Sequence, residues 1–255
     1  MVKIIMNGCN GKMGSVITDI VSKDSEACIV AGIDVNNVKK YDYPVFSDIT
    51  DCDVEADVII DFTTATAVDK LVDYSVSKKI PAIICTTGLS ENTIKKIDEA
   101  SKNVAVFRSG NMSLGVNLLS VILKKYSEVL YGAGFDVEIV ERHHNKKIDA
   151  PSGTAMMLAD SVNASVDDDL EYVFDRSSVR EQRKHTQLGI SAVRGGTIVG
   201  DHEVIFAGRD EVVEFKHTAY SKEIFAIGAV KAAKFIKGKT SGMYDMQDVL
   251  SEELA

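Results

Sequence analysis

Through the first half of the chain, short continuous apolar runs alternate with amphipathic stretches. The runs are Lys3–Asn7, Ala27–Ile33, Asp57–Phe62, Pro81–Cys85 and Val104–Phe107. Between them, apolar positions recur at helical spacing from Lys12 to Ser22, Ala65 to Ser77 and Glu91 to Lys102. A strand that is apolar at every position is buried on both faces, as in a parallel sheet covered by helices on each side. The pattern therefore predicts an α/β fold built on a doubly wound parallel sheet.

The pattern changes after about residue 113. A helix is expected from Gly115 to Leu130, a strand from Asp136 to Glu141, and a helix after Pro151-Ser152-Gly153. Strands follow with little helix between them: Gly189–Val193, Thr197–Phe206 and Val212–Thr218. Polar residues intersperse the last two, as in a sheet with one solvated or interfacial face. Residues 223–237 read as a helix again. The expected organisation is one domain of residues 1–113 and 222–255 with an α+β domain, residues 114–221, inserted before the last helix. The polar segment Val166–Gln187 reads either as a mobile loop or as plain surface loop.

Composition narrows the function classes. Of 255 residues, 29 are Lys or Arg and 38 are Asp or Glu, a net charge of −9. That balance argues against nucleic-acid binding, which needs a basic surface to displace counterions. No apolar run approaches the roughly 18 residues of a membrane span. The polar N-terminus is too short for a signal peptide, so a cytoplasmic protein is expected. Cys9, Cys28, Cys52 and Cys85 form no C-x-x-C pair, which points to small reduced packing residues rather than a disulfide framework. No metal site is expected: neighbouring histidines on a strand diverge and lack suitably spaced partners.

Two stretches carry candidate chemistry. Gly8-Cys9-Asn10-Gly11-Lys12-Met13-Gly14 closes the first strand and opens the first helix. Glycines there allow a tight turn and close approach of backbone to a pyrophosphate, and the helix start offers N–H groups and partial positive charge. The spacing G-x-x-G-x-x-G is weak alone and fits an ordinary strand–turn–helix. Context strengthens it: Asp34 ends the next strand about 20 residues on, where a carboxylate would accept the ribose hydroxyls. A carboxylate there repels a 2′-phosphate, so NADH is preferred over NADPH, although Lys12, Lys39 or Lys40 could reach a phosphate. Phe62, Cys85-Thr86-Thr87 and Ser109-Gly110-Asn111-Met112 each follow a later buried strand, on the edge where such sheets bind ligands. Taken singly, each is also ordinary turn chemistry.

The second stretch runs from Glu138 to Ala155. Residues 142–147 hold Arg142, Lys146, Lys147 and two of the five histidines, His143 and His144, with no acid among them. Directly afterwards Ser152 has N-cap chemistry, and the N–H groups near Gly153 and Thr154 would face whatever sits at the helix start. A helix start beside Lys and His suits a carboxylate; imidazole exchanges protons near neutral pH, and a partly desolvated lysine is a proton donor. A solvated basic turn before an ordinary capped helix accounts for the same stretch equally well.

The run His143-His144, Lys147, Asp149, Pro151-Ser152-Gly153-Thr154-Ala155 closely resembles the signature of the dihydrodipicolinate (4-hydroxy-tetrahydrodipicolinate) reductase family. Further landmarks match in order: Gly8 to Gly14, Asp61-Phe62-Thr63, Thr86-Thr87-Gly88, Asn111 to Asn117, Arg194 to His202 and Ser241 to Met246. The resemblance implies that Lys147 is the proton donor and His143 a proton donor/acceptor. It implies that His144, Ser152, Gly153 and Thr154 hold substrate carboxylates. Gly8 to Met13, Asp34, Cys85 to Thr87 and Ser109 to Met112 would contact NADH or NADPH. It further implies a Rossmann-like sheet, a substrate and tetramerisation domain, a small cyclic dicarboxylate substrate and a homotetramer. Cys85 stands where the family usually has Gly, and Lys222 where Arg is common. The residues by themselves leave open another NAD(P)-dependent dehydrogenase of a small amino or hydroxy acid, or a non-catalytic dinucleotide sensor.

Overall fold

In the computed structural model, which describes residues 1–254, the first apolar run is β1 (Val2–Asn7), followed by α1 (Lys12–Val21) and β2 (Ala27–Ile33). A two-residue strand, β3 (Val45–Phe46), and a 3₁₀ turn at Ile49–Asp51 precede β4 (Val58–Asp61). Then come α2 (Ala65–Lys78), β5 (Ala82–Ile84), α3 (Glu91–Ser101) and β6 (Ala105–Phe107). Next are α4 (Leu114–Tyr131), β7 (Asp136–His143), α5 (Gly153–Asn163), β8 (Glu171–Val173), β9 (Gln187–Arg194), β10 (Gly200–Ala207) and β11 (Val212–Ala219). The last elements are α6 (Glu223–Ile236), β12 (Gly242–Tyr244) and α7 (Met246–Leu254).

These elements form two compact units, Met1–Ser113 with everything from Glu223 onward, and Leu114–Lys222. In the first, seven parallel strands lie in the order β12-β6-β5-β4-β1-β2-β3. Alternation divides the buried side chains. Ile5, Ile59, Ile84 and Val106 pack with Leu71, Val72 and Ile97 of α2 and α3, while α1 and α6 lie together and α6 contacts β1, β4, β5 and β6. Burial on both faces is why these strands read as continuous apolar runs. Strand order reverses between β1 and β4, which places the topological switch point at their carboxyl ends.

In the second unit the order is β11-β10-β7-β9-β8; β7 pairs in parallel with β9 and antiparallel with β10. Val137, Ile139, Ile190, Val204 and Phe206 pack against Leu119 and Leu123 of α4 and Leu158 and Val162 of α5. β7 alternates strictly, with 137, 139, 141 and 143 buried and 136, 138, 140 and 142 half-buried.

Two expectations are corrected here. The strand expected from Thr197 begins at Gly200, because Gly196, with φ +49°, and Thr197 form a turn. The polar segment 166–187 is not one long loop. It contains β8, and Arg183 within it bonds Glu138 Oε1 at 3.2 Å, pairs with Asp136 and donates to Val137 O at 3.2 Å.

Candidate active site

In the first unit, all the residues expected to contact a dinucleotide lie where β1, β2, β4, β5 and β6 end, along one edge of the parallel sheet. Gly8 has φ +86°, and a Cβ there would stand 2.6 Å from Phe62 O; one on Gly14 would stand 2.2 Å from Gly8 O. Only glycine fits either place without moving backbone. Gly11 is the N-cap of α1 and offers no side-chain cap, so the helix start keeps its N–H groups for a ligand. A cleft of about 420 Å³ opens here, lined by Gly8, Gly11, Asp34, Phe62 and Lys70 among others. The loop glycines, the uncapped helix start and the cleft fit a dinucleotide.

Asp34 is pre-aimed: its carboxylate accepts the N–H groups of Asn10 and Asn36, each at 3.0 Å. Lys40 Nζ donates to Asn10 O at 3.2 Å. The Cys9 side chain is fully buried under the loop, where a Cβ on Gly32 would meet its Sγ at 2.6 Å. Burial, then Asp34, push its thiol up to about 11. Cys9 can therefore serve a cofactor only through its backbone.

Asp61, not singled out as a site residue from the sequence, ties the strand ends together. It is fully buried and accepts from Asn7 Nδ2 at 2.8 Å, Thr63 Oγ1 at 2.7 Å and Thr86 Oγ1 at 2.6 Å. Thr86 Oγ1 in turn accepts Thr63 N–H at 3.0 Å. Three strand ends are thus held in one network across the switch point. Cys85 N–H donates to Asp61 O at 3.0 Å, and burial followed by the Asp61 carboxylate raises the Cys85 thiol well above its ordinary range.

In the second unit, strand alternation decides which members of the basic stretch meet. Glu141 and His143 share the inner face of β7, and His143 Nδ1 lies 2.6 Å from Glu141 Oε2. Arg142 falls on the opposite face and is spent on Asp201 at 3.3 Å and Glu203 at 3.0 Å. Lys147 Nζ lies 2.8 Å from Asp149 Oδ2. The dense positive patch seen in the sequence is therefore largely neutralised, and Lys146 is exposed.

Ser152 caps α5, its Oγ accepting Ala155 N–H at 3.1 Å. The same Oγ lies 2.9 Å from His202 Nε2. Burial, then His143, push His202 down to about 4, so the ring is neutral at physiological pH. Gly153 and Thr154 occupy the first two positions of α5. A Cβ on Gly153 would meet no described atom within 4 Å, so there is room over the helix start. At the other side of the cluster a Cβ on Gly200 would come within 3.2 Å of His143 Nε2. His144 Nδ1, Arg194 Nε and His202 Nδ1 are buried without a hydrogen-bond partner among the described residues. Arg194, bonded to Asp149 O, and His202, bonded to Ser152, lie at the start of α5, where such nitrogens suit an anion.

Glu141, Arg194 and His202 were also not nominated from the sequence as site residues. The signal for Glu141 was present: at i and i+2 on a strand, Glu141 and His143 must lie side by side. Arg194 and His202 reach the cluster only through strand pairing, His143 with Arg194 and Glu141 with His202.

A glycine-turn cleft at the switch point of a parallel sheet, with a histidine–carboxylate pair at a helix start in the second unit, defines a nucleotide-dependent oxidoreductase built from two units. Residues 2–112 match the family model described as dihydrodipicolinate reductase, N-terminus, and residues 115–250 match its C-terminus. The chain belongs to the dihydrodipicolinate reductase family. It is 50% identical, across 99% of both chains, to the 4-hydroxy-tetrahydrodipicolinate reductase of Caldanaerobacter subterraneus subsp. tengcongensis. It is 48% identical, across 98% of both, to the protein of the same name in Clostridium tetani. Among solved structures, dipicolinate-bound dihydrodipicolinate reductase from Paenisporosarcina sp. TG-14 shares the fold with a TM-score of 0.78 at 21% identity, over 97% of this chain and 99% of that one.

Proposed function

We propose that this chain reduces 4-hydroxy-tetrahydrodipicolinate to tetrahydrodipicolinate, with loss of water, using NADH or NADPH in lysine and diaminopimelate biosynthesis. The observation that carries the reading is the network in which Glu141 bonds both His143 Nδ1, at 2.6 Å, and the N–H of the N-cap residue Ser152, at 2.9 Å. It joins a proton-exchanging ring to a carboxylate cradle. The ligand named for the Paenisporosarcina structure, dipicolinate, is itself a small cyclic dicarboxylate.

In this reading His144, Ser152 and the N–H groups of Gly153 and Thr154 hold the substrate carboxylates. Lys147 delivers a proton, and His143 exchanges one through Nε2, its Nδ1 being engaged by Glu141. The bound nucleotide would supply hydride from C4 of its nicotinamide. Gly8 to Met13 would receive the pyrophosphate, and Phe62, Cys85 to Thr87 and Ser109 to Met112 would line the cofactor edge. Asp34 would take the adenosine ribose hydroxyls, which favours NADH. A biosynthetic reductase of this kind would work in the cytoplasm as a homotetramer. In support of assembly, α4 and α5 cover one face of the five-stranded sheet, whereas Val193 and Val212 stand exposed on its strands.

The test is continuous measurement of NADH and NADPH oxidation with enzymatically generated substrate. Lys147→Ala is expected to lower kcat by about 10²–10⁴-fold with the KM for NADH unchanged. Near-normal turnover in that variant would remove Lys147 from its role, and no oxidation by the wild type with either nucleotide would overturn the function.

A further inference from the structure

We infer that Glu141, with Arg194 as its counter-charge, is the positioning residue of the second unit's site, holding the His143 ring and the start of α5 in one fixed arrangement. The inference rests on the reduction proposed above. Glu141 is fully buried. Its Oε1 accepts Ser152 N–H at 2.9 Å and Arg194 Nη2 at 2.7 Å; its Oε2 accepts Arg194 Nη1 at 2.7 Å and faces His143 Nδ1 at 2.6 Å. Both carboxylate oxygens are thereby saturated. The donors come from three elements: His143 from the same strand, Arg194 from β9 and Ser152 from the N-cap of α5. Arg194 Nη2 also donates to Asp149 O at 2.6 Å, just ahead of the cap.

Stability alone is a poor reason for this arrangement, because a buried ion pair is generally no more stabilising than apolar residues of the same shape. Its distinctive consequence is geometric. With Nδ1–H donated to Glu141, Nε2 is the nitrogen left for proton exchange, and the absent side chain of Gly200 keeps it uncrowded. Arg194 on β9 and His202 on β10 also stand by the ring, the latter with its ring centroid 5.1 Å away. The other carboxylate oxygen holds the backbone from which the Gly153 and Thr154 N–H groups project. One carboxylate therefore sets the tautomer of the acid–base residue and the aim of the cradle together.

Glu141→Gln preserves shape but presents an amide NH₂ to N–H donors. In the full-length protein, kcat/KM for the dicarboxylate should fall by about 100-fold, with its KM raised, kcat lowered and the KM for NADH unchanged. Arg194→Lys keeps the charge but loses the two-pronged grip, so the same pattern at about 10-fold is expected. The double variant should be no worse than Glu141→Gln, because both changes disable one unit. A merely structural role would lower the fraction of active enzyme, reducing kcat with both KM values unchanged; that result overturns the inference, as does a Glu141→Gln enzyme within about twofold of wild type. If thermal melts show that Glu141→Gln does not fold, Arg194→Lys decides alone, and unchanged dicarboxylate kinetics there overturn the inference. Wild-type turnover in the same assay separates this outcome from failure of the reaction itself.

Discussion

A neutral, buried His202 makes the protein sensitive to acid. Its folded pKa of about 4 lies below the ordinary 6.5, so the unfolded chain takes up the proton first as pH falls. Stability from this group is complete above pH 6.5, declines as pH falls towards 4, and amounts to an order of 3 kcal/mol. Melting temperature should therefore drop between pH 7 and 4.5, and His202→Gln should flatten that dependence; an identical slope in the variant would exclude His202 as the cause. Asp34 gives a second residue-level prediction. Its carboxylate is held by two backbone N–H groups toward the nucleotide cleft, so Asp34→Ala should shift the NADH:NADPH ratio of kcat/KM toward NADPH by about tenfold or more. Competing assays with the two nucleotides check it, and an unchanged ratio would move the discrimination elsewhere, for instance to Lys40.

At the scale of elements, two helices of the first unit begin in contrasting ways. α3 is capped by Ser90, whose Oγ accepts Thr93 N–H at 3.1 Å. α1 begins at Gly11 with no side-chain cap. A start left uncapped is costly unless a ligand or water takes its N–H groups. Ser90→Ala should cost about 1 kcal/mol of stability in denaturant titration, with the KM for NADH unchanged. Gly14→Ala should weaken NADH binding more than tenfold, because the new Cβ would stand 2.2 Å from Gly8 O and push the loop out of place. Calorimetric titration with NADH separates the two, and normal affinity in Gly14→Ala would argue against the loop as the nucleotide cradle. Most elements were legible because periodicity reports burial. β3, β8, β12 and the terminal α7 were not: β3, β8 and β12 are two- or three-residue strands outside any continuous apolar run, unlike the equally short β5 and β6, and α7 follows the helix expected to be the last.

At the scale of the whole molecule, a net charge of −9 opposes the approach of an anionic substrate and an anionic cofactor. The compensation is more local than the basic stretch suggests. Arg142 is withdrawn to the opposite face of β7 and Lys147 is paired with Asp149, so in the proposed reading helix starts and buried ring nitrogens would receive the anions. Tetramer assembly predicts a single species of four times 27.7 kDa in sedimentation equilibrium; a stable monomer or dimer would count against it.

The order of apolar and polar residues by itself determined the parallel sheet, the change of pattern near residue 113, the glycine turn, and the histidine–lysine–serine stretch before α5. Each of these is written in neighbouring residues: a continuous apolar run, a tight turn and a helix cap. Tertiary structure decided which charges are spent and which are held for chemistry. Asp61 joins Asn7 and Thr86 only because β1, β4 and β5 lie side by side. Arg194 grips Glu141 because β9 pairs with β7, and His202 meets Ser152 from β10. Such contacts depend on strand order and register, which hydrophobic spacing does not encode. The sequence thus made His143 and Lys147 visible and placed Glu141 beside His143, while the bonds from Arg194 and Ser152 that hold that carboxylate emerged only from the folded arrangement around it.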